Sequence, residues 1–503
     1  MKGTDVLLRN VRIGAGEPVQ VAVEGGLITA IEPLTTGATG RSHRPGPGLD
    51  PSVGEVVECG GRTLLPGLWD AHVHLGQWAA ARRRVDLTGT GSAREAAAAM
   101  ARAADRTPQG EPLIGFGFRD ALWPDAMAPD LLEWPDRAPR VVALISNDLH
   151  TAWLNREALA ALGLAGHPDG VLREEPVLDA AARLGRATPE VRDRWVREAV
   201  REAARRGVTG VMEFEYADNL ADWTRRAAAW PGGLPLRVAA TVYPDALERA
   251  IAAGRRTGEP VPGTGGLLTT GPLKLFVDGS LNTRTALCHE PYPATGGHGT
   301  LQTEPEELVA LMVRAAAHGI RSAVHAIGDR AGTIALDAFD RVPGPGRIEH
   351  AQLVDRRDLA RYARPGLVLG VQPAHAVDDR DVADRHWKGR TDRAFAYAEL
   401  LRAGARLEFG SDAPVSPLDP WVGISAAVHR TGADGRPSWH PEQAVPLGQA
   451  LAASVRTEVA VGAPADLVIA DADPAAADGP AALAATPVAG TLVAGRWTHR
   501  DGL

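Results

Sequence analysis

Residues 64–78 read "LLPGLWDAHVHLGQW", an apolar run that ends with His72 and His74 one residue apart. On a strand, residues i and i+2 leave the backbone on the same face, so these two imidazoles project side by side. Neutral imidazoles held in that way form half of a metal site. Among 15 histidines such a pair means little without partners. Partners are present: Lys274 in "PLKLFVDG", His325 in "RSAVHAIGD", His350 in "GRIEHAQ" and Asp412 in "RLEFGSDAP", each within or ending an apolar run. Imidazole nitrogen and carboxylate oxygen are the donors of catalytic zinc sites, which keep one position open for water. A divalent ion there acidifies a water and polarises a carbonyl, and Asp412 beside that water can move its proton. Lys274 is the odd member. An ammonium is repelled by a dication, so this amine must be deprotonated, displaced or chemically modified.

Six such residues meet only if a fold brings several strand ends to one place. Short apolar runs recur at 207–214, 273–279, 320–328, 346–352, 366–373 and 405–414, with Ala/Arg-rich helical stretches such as 304–319 and 394–404 between them. Repeated strand–helix units imply a parallel sheet with right-handed crossovers, and about eight of them close into a (β/α)8 barrel. Reactive residues then sit at the C-terminal ends of the strands, where all six candidates fall. The barrel is expected over residues 66–451. Both termini are β-rich: "DVLLRNVRI" and "VQVAVEGGLITAIEP", with a Gly25-Gly26 turn, are answered by "ADLVIAD" and "PVAGTLVAGRWTH", with a turn near Gly495. Residues 1–65 and 452–503 should therefore form one small β-sandwich, with a mobile Gly/Pro/Ser-rich loop at 36–55. An inserted segment at about 90–190, with Trp123, Trp134 and Trp153 amid prolines, is expected to lid the site. From it His150, Trp153 and Asn155 would supply an aromatic wall and polar contacts to a small-molecule pocket. Asp278, Arg284 and Asp329 would orient the metal ligands or the substrate.

Bulk properties narrow the function. At 503 residues the chain exceeds what a single core serves, and its 45% hydrophobic and 23% charged content is that of a globular protein. A net charge of -8 without a basic stripe argues against nucleic acid. No run of eighteen apolar residues or cleavable leader occurs, and the two cysteines, Cys59 and Cys288, make no disulfide framework. A cytoplasmic protein acting on a small molecule, away from membranes, is expected, with a homodimer as the base-rate assembly.

The sequence resembles the amidohydrolase superfamily, whose H-x-H, strand-four lysine, two single histidines and late aspartate are matched by His72, His74, Lys274, His325, His350 and Asp412. It is most similar to the branch of N-substituted formamide deformylases. The segments that carry this likeness are "LLPGLWDAHVHL", "NDLHTAWLNREAL", "PLKLFVDGSLNTRTA", "AVHAIGDRA", "RIEHAQLV", "FGSDAPVSPLDPW" and "APADLVIADADP". The resemblance implies hydrolysis of a non-peptide C–N bond, in an amide or N-substituted formamide, with one or two divalent ions, zinc above all. It also implies an N-carboxylated Lys274 bridging the ions when two are present, which removes the repulsion noted above. Cyclic amides, carbamates and esters are the alternative substrates, and a non-catalytic binding or regulatory relative is the alternative role. The chain departs from the branch in Asn282-Thr283 and in "VMEFEYAD", which carries Glu213 and Glu215.

Overall fold

Eight buried apolar runs set the architecture of the larger part of the molecule. A computed structural model describes residues 5–34 and 54–503, apart from 88, 119, 121–122, 147–150, 174–179, 181–182, 185–186, 282–283, 294 and 433–434. Residues 76–199 form one compact unit, and the segments on either side of it form the other.

The larger unit opens with strands β1 (Val6–Ile13), β2 (Val19–Glu24), β3 (Leu27–Pro33) and β4 (Glu55–Pro66), then enters the barrel at β5 (Leu68–Val73). The smaller unit holds β6 (Val85–Asp86), β7 (Leu113–Phe118), β8 (Val142–Ser146), β9 (Thr151–Leu154) and β10 (Val171–Arg173). The barrel resumes with β11 (Val208–Glu213), β12 (Arg237–Val242), β13 (Leu268–Phe276), β14 (Ser322–Ala326), β15 (Gly346–His350), β16 (Leu367–Val371) and β17 (Arg406–Phe409). The chain ends with β18 (Leu467–Ala470), β19 (Val488–Val493) and β20 (Arg496–Arg500).

The eight barrel strands pair in the order β17-β16-β15-β14-β13-β12-β11-β5. Every pairing is parallel, and a parallel bridge between Val73 and Ala413 links the two ends of the sheet. β5 and β11 are buried along their whole length, as strands covered on both faces must be. Helices such as Asp329–Arg341 lie outside and turn Ala331, Ala335, Leu336 and Phe339 inward at helical spacing. This is the expected (β/α)8 barrel.

The terminal strands make a seven-stranded sheet in the order β20-β19-β18-β4-β1-β2-β3. β4 joins the two ends of the chain, because it pairs parallel to β1 and antiparallel to β18. Val6, Leu8, Ile28, Leu467, Ile469 and Leu492 form its core. All of the predicted loop at 36–55 except its last two residues lies outside the described residues.

The smaller unit is built on a five-stranded sheet, β10-β9-β8-β7-β6. Trp153 is 0% exposed within its core, among Met100, Phe118 and Leu144, with Trp123 and Trp134 packed on that core. Asn155 caps the helix Arg156–Leu162: its side-chain oxygen accepts from Ala158 N and Val142 N, and its amide donates to Arg140 O. His150 lies outside the described residues.

Candidate metal centre

β5 ends in His72 and His74, and β17 leads into Asp412. Backbone bonds lock these two stretches together, Asp412 N donating to His72 O at 2.7 Å and His74 N to Ala413 O at 2.9 Å. Gly410 makes the approach possible, because a Cβ there would lie 2.5 Å from His72 N. The buried Asp70 carboxylate adds a second staple by accepting from the N–H groups of His72 and Ser411.

Donor atoms of His72, His74 and Asp412 consequently lie within 4.8 Å of one another. The Asp412 Oδ1 atom stands 3.3 Å from His74 Nε2 and 3.7 Å from His72 Nε2. Two ligands bonded to one zinc ion in a tetrahedron stand about 3.4 Å apart, so the spacing suits a divalent cation. Protonation states suit it as well, since metal ligands must be deprotonated. Burial, helped by the nearby Lys274, lowers His72 to about 4, which leaves the ring neutral near pH 7. Burial alone would raise the Asp412 carboxyl, but His72, the bond from His74 and His350 hold it well below the usual carboxylate range.

The other three candidates surround this triad. The His350 ring lies 4.9 Å from that of His72 and 4.5 Å from that of His325. Both are neutral near pH 7: burial and His72 push His350 down to about 3, and burial and His350 push His325 well below the usual range. His350 leaves β15 in a left-handed conformation, φ +77°, as Asp412 does after β17 at φ +55°. Non-glycine residues held so cost about 1–3 kcal/mol each and gather at functional sites. Lys274 is 1% exposed, with Nζ 4.7 Å from the Phe214 ring centre and 4.8 Å from that of Phe276. Burial lowers its amine to about 8 against the pull of Glu349 and Asp412.

Three residues that the sequence did not single out hold these ligands in place. Glu349 Oε2 accepts from His72 Nδ1 at 2.8 Å, which presents Nε2 toward Asp412. Gln372 Oε1 does the same for His350 Nδ1 at 2.8 Å. Asp70 is the third. Glu213, noted above as a departure, is 0% exposed and takes the N–H groups of Leu75 and Glu215 and the indole of Trp223. It thus fixes the chain just after His74, and burial with the adjacent Glu215 raises its carboxyl to about 7.

The proposed orienting residues sit elsewhere in this frame. Asp278 accepts from the backbone N–H groups of Leu287, Ile327 and Gly328, and its Oδ1 lies 3.5 Å from His325 Nε2. Asp329 takes His289 N and Arg393. Arg284 is exposed.

Known proteins resemble this chain in sequence and in fold. "Putative amidohydrolase YtcJ" of Bacillus subtilis is 30% identical over 489 residues, covering 88% of this chain and 90% of its own. An N-substituted formamide deformylase of Arthrobacter pascens is 27% identical, covering 84% of this chain and 85% of its own. The crystal structure of an uncharacterized metal-dependent hydrolase from Pyrococcus horikoshii superposes with a TM-score of 0.75 at 26% identity, over 94% of this chain and 98% of that one. The family model for amidohydrolases (Amidohydro_3) matches residues 55–499, and with a barrel and a candidate metal site to go with that match, this chain belongs to the amidohydrolase family and is a hydrolase.

Proposed function

We propose that the enzyme hydrolyses a non-peptide C–N bond, in an amide or N-substituted formamide of small size, with Asp412 as its proton carrier. The observation that carries this reading is the Asp412 carboxylate, held well below the usual carboxylate range with Oδ1 3.3 Å from His74 Nε2 and 3.7 Å from His72 Nε2. An ionised carboxylate beside a water takes the water's proton as oxygen attacks the carbonyl carbon, then gives it to the leaving nitrogen. Water is consumed, one acid and one amine are released, and the carboxylate is regenerated.

His72, His74 and Asp412 would hold the ion, with His325, His350 and Lys274 completing the set. A divalent ion there supplies an acidified water and a polarised carbonyl. Nitrogen and oxygen donors without a thiolate favour zinc. The lowered Lys274 supports N-carboxylation, because carbon dioxide adds to the free amine with loss of one proton and yields an anionic ligand. Asp278 would orient His325, and the exposed Arg284 is the remaining candidate for a substrate contact. The acidic charge and the buried free cysteines support a small-molecule substrate and a cytoplasmic setting, without nucleic acid or membrane; among the described residues no helix is long and apolar enough to cross a membrane.

Elemental analysis of protein purified without chelator, with hydrolysis of a panel of formamides, amides, carbamates and esters, tests the proposal. About one or two equivalents of metal and turnover of an amide are expected. Metal below about a tenth of an equivalent, with no amide cleaved, overturns the activity. Full metal in a His72→Ala/His74→Ala variant overturns the site.

A further inference from the structure

Gln352 and His375 stand where β15 and β16 open toward the metal centre. Gln352 follows His350 by two residues, and His375 follows Gln372, the residue that holds the His350 ring. Each is 4% exposed. They touch, Gln352 Nε2 lying 3.3 Å from His375 Nδ1. Apart from that contact, Gln352 Oε1 and His375 Nε2 have no hydrogen-bond partner among the described residues. Gln372, three residues before His375, holds His350 Nδ1, so both members of the pair follow closely on residues of the candidate centre.

Buried polar atoms without partners on two residues in contact call for a ligand or water, because such atoms are expensive to desolvate and native chains nearly always satisfy them. Beside the pair, Gln372 serves His350, and Tyr397 donates to Gln372 O. The unmet capacity has a definite form. If the Gln352 amide donates to His375 Nδ1, the neutral imidazole carries its proton on Nε2, leaving a donor on His375 and an acceptor on Gln352. If the amide is turned over, His375 donates instead, leaving an acceptor on His375 and a donor on Gln352. Either way this contacting pair is left with one donor and one acceptor. One N–H and one C=O, the two polar groups of a secondary amide, match that pair; an ester or an N,N-disubstituted amide lacks the N–H.

We infer that Gln352 and His375 form a two-point clamp that reads the N–H and C=O of the substrate amide and so selects amides that retain an N–H. This rests on the amide-hydrolase reading above. Its test uses the full-length metal-loaded protein and two unreactive probes, acetohydroxamic acid and N-methylacetohydroxamic acid. Both chelate a metal through the same two oxygens, and only the first carries an N–H. Isothermal titration should show the first binding about tenfold tighter to the wild type. In Gln352→Leu and in His375→Phe the ratio should fall toward one with metal content unchanged, whereas loss of a merely structural role would weaken both probes equally. His375→Asn, which keeps a donor and an acceptor, should recover part of the preference. Equal affinities in the wild type, no binding of either probe, or a preference unaltered in both variants overturns the clamp; the last outcome means that buried water alone fills the pair. Metal content and the amide panel test the hydrolase reading without these probes, so the two can fail separately.

Discussion

Glu349 shows how much of this centre depends on a side chain that need never touch substrate. Its carboxylate is shared between His72 Nδ1 at 2.8 Å and Arg347 Nε at 2.7 Å. Burial opposes its ionisation, yet Arg347 and His72 hold it well below the usual range, so it is an anion at any working pH. An anion there does two things: it fixes the proton of His72 on Nδ1, leaving Nε2 to ligate, and it raises the basicity of that ligand. Glutamine has the same size but a single acceptor, so it cannot serve both donors. Glu349→Gln should therefore weaken metal affinity by about 10–100-fold, the range for losing an orienting partner. Competition against a chelator reads this directly. A Glu349→Gln protein with wild-type metal affinity would show that His72 is oriented by its stacking on Phe214, 3.8 Å away, rather than by this carboxylate.

At the scale of the strand, "GRIEH" places Arg347 and Glu349 on one face by the two-residue period, and that face is the barrel interior. There Arg347 bridges Glu349 and Glu408, and Arg456 also reaches Glu408. Gly370 on β16 leaves room for this chain of charges, because a Cβ there would stand 2.0 Å from Glu349 Oε2. Removing one member strands the others, and breaking a buried ion pair costs about 3–5 kcal/mol. Arg347→Met should lower the urea midpoint by that free energy at an unchanged slope, and a loss under about 1 kcal/mol would mean that water enters to solvate the carboxylates. The sequence shows some of this layer and hides the rest. Strands were legible as short apolar runs, three of which also carry a candidate ligand: the runs at 207–214, 320–328, 346–352, 366–373 and 405–414 contain β11, β14, β15, β16 and β17, with His325, His350 and Asp412 in the second, third and fifth. β12 was not singled out, and β6 and β10, two and three residues long, are too short for any period to show. Glu349 was hidden for another reason. Its role is set by His72, 277 positions away, and no local pattern records that meeting.

At the scale of the larger unit, the first candidate metal ligands depend on strands from the far end of the chain. β4 pairs with β1 from Glu55 to Leu64 and with β18 at Thr63–Pro66, then passes through Gly67 into β5 and His72. Gly67 N donates to Asp466 O at 2.8 Å, and Asp466 also takes Ala494 N and the Arg237 guanidinium at the foot of β12. Leu467, Val468, Ile469, Leu492 and Val493 are all 0% exposed. Burying one such side chain is worth about 1.5–3 kcal/mol, so five together match the whole stability of an ordinary domain, about 5–15 kcal/mol. A chain ending at Pro464 loses these strands, exposes the Val6, Leu8 and Leu64 side of the sheet, and frees the entry to β5. It should be insoluble or bind metal at under about a tenth of an equivalent, and co-expression of residues 465–503 as a separate segment should restore both solubility and metal, since the strands dock by pairing and burial rather than by covalent linkage. A truncated protein that stays soluble, holds full metal and unfolds at the wild-type midpoint would show that the barrel positions His72 and His74 without the terminal sheet.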